Sequence, residues 1–207
     1  MAYFPLFIDL NQKQGLVVGG GPVAARKIRT LLPYGLHLTV CAPSVLPELE
    51  TLSGLTLRRD PFSPALLEGA FFVLAATDDR ELNSRIARLC RERNIPVNVA
   101  DPGTESTFLF PSVVRRGPLT VGISTGGKSP SAAHYLKEQI EMLLPGNFED
   151  ILLWMDGVRE ELKGSALSQP QRSACLSRLF SAALQAGGPL SREETQSLLS
   201  FETEELP

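Results

Sequence analysis

A glycine-rich stretch with the residue types of a phosphate-binding loop follows the first apolar run of the chain. Gly19, Gly21 and Ala24 match the pattern G-x-G-x-x-G/A, and a helix-like segment spans 23–32. In this pattern the first glycine permits a tight turn, the second lets the backbone approach a pyrophosphate, and the small third residue lets the helix pack on the strand. The spacing predicts a dinucleotide-binding loop. The alternative is a glycine-rich strand-to-helix turn without a ligand, and Pro22 fits both.

The residues after the second apolar run bear on the choice of dinucleotide. A carboxylate about 20 residues beyond the glycines commonly binds the ribose 2′-hydroxyl, but positions 41–44 read Cys-Ala-Pro-Ser. Residues 41–57 also contain no Arg or Lys for a 2′-phosphate. Ser44 and backbone groups are left to hydrogen-bond the ribose. This pattern favours NAD and does not exclude NADP.

Polar residues follow two later apolar runs, where the carboxyl ends of parallel strands would line a ligand crevice. Thr77 is predicted to contact the ribose or phosphate on the nicotinamide side, while Asp78 and Asp79 are either site residues or plain helix caps. Asp101 is the acid best placed for proton transfer at a substrate. Its Asp-Pro-Gly context is also typical of an ordinary turn.

A second small-residue loop, Ser-Thr-Gly-Gly-Lys-Ser-Pro at 124–130, opens another predicted helix. Its backbone N–H groups and Lys128 can form a cradle for a carboxylate or phosphate, and the alternative is a capped helix start with a flexible entry. Ser124, Gly127, Lys128 and Arg115 are the predicted substrate-binding residues. The only histidines, His37 and His134, lie in no ligand-spaced cluster, so no metal site is predicted.

The elements that would hold these residues predict an α/β fold. Short β-branched runs alternate with helical stretches up to about residue 124, which is typical of a Rossmann-like parallel sheet. The predicted strands are 15–18, 38–41, 56–58, 71–75, 96–100 and 107–110. A helix is predicted at 80–93, capped by Asp78 or Asp79, followed by a hairpin at 108–124. Beyond Ser129 the pattern is helical, with helices from Pro130, at 148–163, at 169–185 and at 191–201.

Composition excludes several classes of protein. The 207 residues carry a formal net charge of −3, with 43% hydrophobic and 21% charged residues, so the chain is neither disordered nor a strongly basic nucleic-acid binder. No apolar stretch approaches the roughly 18 residues of a membrane span, and no signal peptide is predicted. Three widely spaced cysteines favour a reducing, cytoplasmic setting in which they are small buried groups.

Taken together, these motifs resemble the precorrin-2 dehydrogenase family of sirohaem biosynthesis. That family includes stand-alone dehydrogenases, bifunctional dehydrogenase/chelatases and the N-terminal half of bacterial sirohaem synthase. The resemblance covers roughly residues 3–145 and is carried by the stretches 4–10, 17–27, 74–79, 98–101, 110–112 and 124–130.

The resemblance implies NAD-dependent oxidation of precorrin-2 to sirohydrochlorin and, in some members, insertion of Fe(II) as a substrate ion. It assigns nucleotide contacts to Gly21, Pro22, Val23, Pro43 and Ser44. It also assigns the catalytic role to Asp101. Arg115, Arg116 and Lys128 are then available for the substrate's carboxylates.

The resemblance further implies an intertwined homodimer whose subunits exchange contacts through 113–147. We expect a nucleotide-binding domain at 1–112, that dimerisation segment, and a C-terminal helical region at 148–207. The shortness of the chain agrees, because a nucleotide-binding half of about 110 residues leaves little for a separate substrate domain. Two alternatives stay open: an NAD-sensing module without turnover, and a chelatase that has lost its dehydrogenase activity.

Overall fold

The computed structural model describes residues 3–100 and 105–200. They divide into two compact units, with the boundary between Pro111 and Ser112 and with residues 126–128 grouped with the first unit.

The first unit is built on a parallel five-stranded sheet with strand order β3-β2-β1-β4-β5. The strands are β1 (Gln14–Val18), β2 (His37–Cys41), β3 (Leu55–Arg58), β4 (Phe72–Ala75) and β5 (Val97–Val99). Its helices are α1 (Pro22–Leu31), α2 (Pro47–Glu50) and α3 (Arg80–Glu92), with single 3₁₀ turns at Leu32–Tyr34 and Pro64–Leu67. Val18 pairs in register with Cys41 on one side and Ala75 on the other, so these strands end at one edge.

Helices cover both faces of this sheet. All four residues of β4 are buried, as expected for a parallel strand with neighbours on both faces. Alternate residues enter two separate apolar clusters. Leu16, Val18, Val73 and Ala75 lie with Ile86, Ala87 and Cys90 of α3, whereas Val17, Leu38, Val40 and Leu74 lie with Ala24, Ala25, Ile28 and Leu31 of α1.

The second unit begins with an antiparallel hairpin, β6 (Ser112–Arg116) and β7 (Leu119–Ile123). Four helices follow: α4 (Pro130–Leu143), α5 (Phe148–Lys163), α6 (Gln169–Ala186) and α7 (Arg192–Ser200). Ala133 of α4 packs with Val114 and Ile123 of the hairpin. A second cluster of this unit is formed by α5 and α6 with α7, around Val158, Leu162, Cys175 and Leu179.

The predicted fold class is confirmed, and one predicted strand is wrong. Residues 107–110 form no strand. Thr107 donates its N–H to the Val97 carbonyl (2.8 Å), but its hydroxyl then accepts from the Val97 N–H (2.8 Å) in place of a backbone carbonyl. The hairpin consequently starts at Ser112, not at residue 108. The three one-turn helices were not predicted, and the predicted end of the last helix, residue 201, lies outside the described residues.

Two further expectations concern membrane-spanning helices and the cysteines. Within residues 3–100 and 105–200, no helix is long and apolar enough to cross a membrane. Cys41, Cys90 and Cys175 are buried free thiols, as predicted.

Candidate active site

The turn after β1 is held against the ends of two neighbouring strands. Gly19 has φ +119°, and a Cβ placed on it would lie 2.2 Å from the Ala76 carbonyl oxygen after β4. A Cβ on Gly20 would lie 2.4 Å from the Ser44 carbonyl oxygen after β2. Leu46 also donates its N–H to the Gly20 carbonyl at 3.0 Å. Because only glycine tolerates these approaches, the sequence Gly-Gly brings three strand ends together.

The N-terminus of α1 opens from this turn without a side-chain cap. Gly21 is the N-cap residue and Pro22 the first helical residue, and in the part of the chain that the structure describes no side chain caps this helix end. By contrast, Asp79 caps α3 and Ser129 caps α4. A Cβ on Gly21 would meet nothing within 4 Å. Uncapped N–H groups at the positive end of a helix, beside open space, fit the pyrophosphate of a dinucleotide.

The residues after β2 flank this helix end. Pro43 and Ser44 are both exposed, and the close contact with Gly20 fixes the chain at Ser44 beside the glycine turn. The residues predicted to bind the nucleotide therefore lie in one region, as such a site requires: Gly19, Gly21, Pro22, Val23, Pro43 and Ser44. Their contacts with a nucleotide stay predictions.

The turn after β4 is fixed by a buried amide that the sequence reading missed. Asn83 of α3 accepts from the Thr77 N–H (3.2 Å) and hydroxyl (2.8 Å), and donates to the Thr77 carbonyl (3.0 Å). The sequence did contain a signal for Asn83, since it is a polar residue on the buried face of α3, one turn before Ala87. Thr77 lies at the expected edge, and its contact with the ribose or phosphate stays a prediction.

A buried lysine connects α1 with β5. Lys27 is 9% exposed, and its ammonium donates a hydrogen bond to Oδ1 of Asn98, which is 5% exposed. The Nζ also lies 4.9 Å from the centre of the Phe110 ring, within cation–π range. Desolvation, with a smaller effect from the charge of Arg26, lowers the Lys27 pKa to about 8. This pair was also missed, although Lys27 falls on the face of α1 that carries Ala24, Ile28 and Leu31.

Asp101, the predicted catalytic acid, lies outside the described residues, and the chain on both sides of it is anchored. Ala100 donates its N–H to the Ala75 carbonyl at 2.8 Å. On the other side, Arg91 donates to the Glu105 carbonyl at 2.6 Å, and the Ser106 hydroxyl accepts from the Val99 N–H at 2.9 Å. Both flanks of Asp101 thus belong to the carboxyl edge of the sheet.

An arginine-rich cavity of about 540 Å³ runs along α3. It is lined by Arg80, Arg85, Arg88 and Arg91 with Ser84, Glu81 and Glu105. Arginines recognise carboxylates and phosphates well. They add cations close to Glu105, on the flank of Asp101, that the sequence analysis did not consider.

The second small-residue loop is closed by hydrogen bonds between Thr125 and Ser129. The Thr125 hydroxyl accepts from the Ser129 N–H (3.1 Å) and donates to the Ser129 carbonyl (3.0 Å), and Gly126 and Gly127 both have positive φ. Ser124 and Lys128 are exposed. Arg115 lies on β6 and is exposed. The substrate-binding roles of Ser124, Gly127, Lys128 and Arg115 stay predictions.

Each histidine lies beside a glutamine or glutamate side chain. His37 Nε2 lies 2.8 Å from Gln12 Oε1, and His134 Nε2 lies 3.3 Å from the Glu138 carboxylate one turn along α4. Among residues 3–100 and 105–200, no three His, Cys, Asp or Glu side chains are grouped to hold an ion.

A parallel sheet in the order β3-β2-β1-β4-β5 with an uncapped, glycine-entered helix after β1 defines a dinucleotide-binding domain of the Rossmann type. Residues 6–112 match the family model described as "Putative NAD(P)-binding", and residues 116–143 match the model "Sirohaem biosynthesis protein central". The first match covers more than half of the chain, and the chain belongs to that NAD(P)-binding family.

Curated relatives and a solved structure agree with the sequence resemblance. The chain is 41% identical over 185 residues to siroheme synthase 1 of Aeromonas salmonicida, covering 88% of this chain and 40% of that protein. It is 47% identical over 146 residues to siroheme synthase of Tolumonas auensis, covering 70% and 31%. It thus spans about two fifths or less of these relatives. The structure titled "SirC, precorrin-2 dehydrogenase" shares the fold, with a TM-score of 0.73, 24% identity and coverage of 98% and 100%. The resemblance to the sirohaem-biosynthesis family is confirmed.

Two glycine substitutions should separate folding from nucleotide binding. Gly21→Ala adds a methyl group into open space, so the free energy of unfolding should change by less than about 1 kcal/mol. The same methyl group stands where a pyrophosphate would approach, and the Kd for NAD measured by calorimetry should rise at least tenfold. Gly19→Ala meets a carbonyl at positive φ and should lose about 2–5 kcal/mol in denaturant unfolding. Wild-type NAD affinity in Gly21→Ala would contradict the site.

The buried Lys27 predicts a pH-dependent stability. Its folded pKa of about 8 lies below the usual 10.5, so between these values the unfolded chain binds more protons and stability rises with pH. Relative to Lys27→Met, the wild-type free energy of unfolding should therefore increase from pH 8 to pH 10.5, by up to about 3 kcal/mol. Urea denaturation of both proteins across this range measures the difference. A difference that stays constant with pH would show that folding does not lower the Lys27 pKa.

Proposed function

We propose that this chain is an NAD-dependent precorrin-2 dehydrogenase that forms sirohydrochlorin in sirohaem biosynthesis. The observation that carries the proposal is the uncapped, glycine-entered N-terminus of α1, in a chain whose two parts match an NAD(P)-binding family and a sirohaem-biosynthesis family. NAD is preferred over NADP, because Ser44 stands where a ribose-binding group is needed and residues 41–57 contain no cation.

The reaction removes two hydrogens from precorrin-2. NAD, when bound, accepts one of them as a hydride. The other leaves as a proton, which the Asp101 carboxylate accepts and passes to solvent, so charge and atoms balance. The anchored flanks of Asp101 support this role, since a general base has to be held within hydrogen-bond reach of the proton that it removes.

The substrate's many carboxylates require cations. We assign this role to Arg115 and Lys128, with Ser124 and the backbone at Gly127 as further donors. The α3 arginines Arg80 and Arg88 add charge close to Glu105, on the flank of the Asp101 segment.

Two finer parts of the proposal concern Fe(II) insertion, which the family resemblance implies, and the cellular location. Fe(II) insertion into sirohydrochlorin would use Asp101 again, as the base that takes protons from the macrocycle. A cytoplasmic location is supported by the three buried free thiols; burial raises the pKa of Cys41, and that of Cys90 to about 11.

A homodimer is supported by an apolar strip on α4. Ala133 and Ile140 face the hairpin, whereas Tyr135, Leu136, Met142 and Leu143 are 59%, 45%, 69% and 79% exposed. Residues seven apart on a helix share a face, so Tyr135 shares one with Met142, and Leu136 shares one with Leu143. The two pairs are neighbours around the helix, with Gln139 between them, and together form one broad strip. A second copy of the chain covers such a strip in a twofold interface. In this proposal the dimerisation segment is 113–147, between a domain at 1–112 and a helical region at 148–207.

Mixing the protein with precorrin-2 and NAD should produce NADH and sirohydrochlorin. Asp101→Asn removes the base and should lower kcat by about 10²–10⁴-fold. Asp156→Asn, an exposed acid on α5, is the matched control and should keep wild-type rates. Tight NAD binding by a wild type that forms no NADH would favour the NAD-sensing alternative. Sirohydrochlorin metallation without dehydrogenation would favour a chelatase alone.

The oligomeric state should respond to the α4 strip. Leu136→Asp with Leu143→Asp places two charges in the proposed interface and should convert a dimer into a monomer, seen by size-exclusion chromatography with light scattering. Leu153→Asp changes a leucine of α5 with 59% exposure and should leave the dimer intact. A wild type that is monomeric at micromolar concentration, or a double variant that stays dimeric, contradicts the proposed interface.

A further inference from the structure

Lys27 occupies a buried position where a charged side chain costs folding free energy. The residue is 9% exposed, and within residues 3–100 and 105–200 its ammonium forms no ion pair with a carboxylate. Burying a cation without a counter-charge costs free energy that a Met or Leu at the same position would not cost. The partners present, an amide oxygen and an aromatic ring, offset that cost only in part. Stability alone therefore gives no reason for a lysine here.

The position of Asn98 explains how the lysine reaches it. Asn98 lies in the middle of β5 and pairs in register with Leu74 of β4. Leu74 belongs to the cluster that α1 covers, so Asn98 is on the same face of the sheet as α1. Lys27 is five residues beyond Pro22, the first residue of that helix. The ammonium thus connects the helix of the glycine turn with the strand that leads to Asp101.

The Asn98 amide carries this connection to the other side of Asp101. An ammonium only donates hydrogen bonds, so Lys27 fixes Oδ1 of Asn98 toward itself and Nδ2 away from itself. Nδ2 donates to the Phe108 carbonyl at 2.9 Å. The next residues reinforce the alignment, since Thr107 donates its N–H to the Val97 carbonyl at 2.8 Å. One amide therefore aligns the strand before Asp101 with the segment after it.

We infer that Lys27 is a positioning residue of the dehydrogenase reaction, acting through the Asn98 amide to align the two chain segments that flank Asp101 with the helix that holds the nucleotide. Lys27 contacts neither substrate nor nucleotide in this role. The inference rests on the proposed function, and it predicts that breaking the link misplaces the base without removing it.

Asn98→Asp is the sharpest variant, because it keeps an acceptor for Lys27 and supplies a counter-charge that supports folding. It also replaces the Nδ2 donor by an oxygen that faces the Phe108 carbonyl, which breaks the link to residues 105–110. Its kcat should fall at least tenfold, while KM for NAD stays within about twofold, since misplacement by about 1 Å costs up to 10²-fold in rate. Lys27→Met should show the same split between kcat and KM, and Lys27→Arg should recover part of kcat.

Lys13→Met is the matched control. Lys13 is another lysine of this unit that lies over a phenylalanine, with its Nζ 5.3 Å from the Phe71 ring centre, but it is exposed and touches neither Asn98 nor the flanks of Asp101. It should keep wild-type kinetics.

Coupling to Asp101 tests whether Lys27 acts through that residue. In an Asp101→Asn background, Lys27→Met should cause little further loss of rate, because a misplaced base matters only when the base is present. Hydrogen exchange measured by mass spectrometry provides a readout without activity: Lys27→Met and Asn98→Asp should speed amide exchange at 99–107 at least tenfold, and Lys13→Met should not.

The outcomes separate the two proposals. Wild-type kcat in both Lys27→Met and Asn98→Asp overturns the positioning role while the dehydrogenase stands, as does a loss that appears in the KM for NAD instead of kcat. Full additivity with Asp101→Asn also overturns it. If the wild type forms no NADH, the proposed function fails, and the inferred positioning role in that reaction is overturned with it. Exchange at 99–107 then still shows whether the link between Lys27 and Asn98 exists.

Discussion

The close approach of the turn after β1 to the chain segments after β2 and β4 is the constraint on which the rest of the site depends. At Gly19 a single added carbon would lie 2.2 Å from a carbonyl oxygen, and at Gly20 it would lie 2.4 Å from another. Because these two residues lack side chains, three parallel strands end together and α1 starts at that edge without a side-chain cap from Gly21. The proposed nucleotide site is a consequence of that packing.

A second connection joins the same helix to β5. Lys27 and Asn98 are 71 residues apart in the chain, and their hydrogen bond crosses from the helix layer to the sheet. The glycine turn places the helix end, and the lysine relates that helix to the strand before Asp101. Two polar groups, Asn83 and Asn98, thereby fix the chain after β4 and after β5 from within an otherwise apolar core. Buried polar groups that are fully paired specify one arrangement of a core.

The sequence predicted the features of the fold that depend on local residue patterns. The glycine spacing and the first five strands are local signals, and the structure has them. Of the two predicted caps for α3, Asp78 and Asp79, it is Asp79 that accepts from the Leu82 N–H. Residues 107–110 were misread because Thr and Phe favour strands, whereas the hydroxyls of Ser106 and Thr107 take over bonds that a strand would make with its backbone. Lys27 and Asn98 were missed because each looks ordinary alone. Their relation exists only in the folded chain.

The proposed function depends on one step, the transfer of a hydride from precorrin-2 to NAD. The most direct measurement uses precorrin-2 deuterated on its carbon framework, with mass spectrometry of the nicotinamide product. The proposed reaction predicts that NADH and sirohydrochlorin form in equal amounts and that one deuterium per turnover, removed as the hydride, is found in the NADH. NADH without deuterium, or sirohydrochlorin formed without NADH, would contradict it.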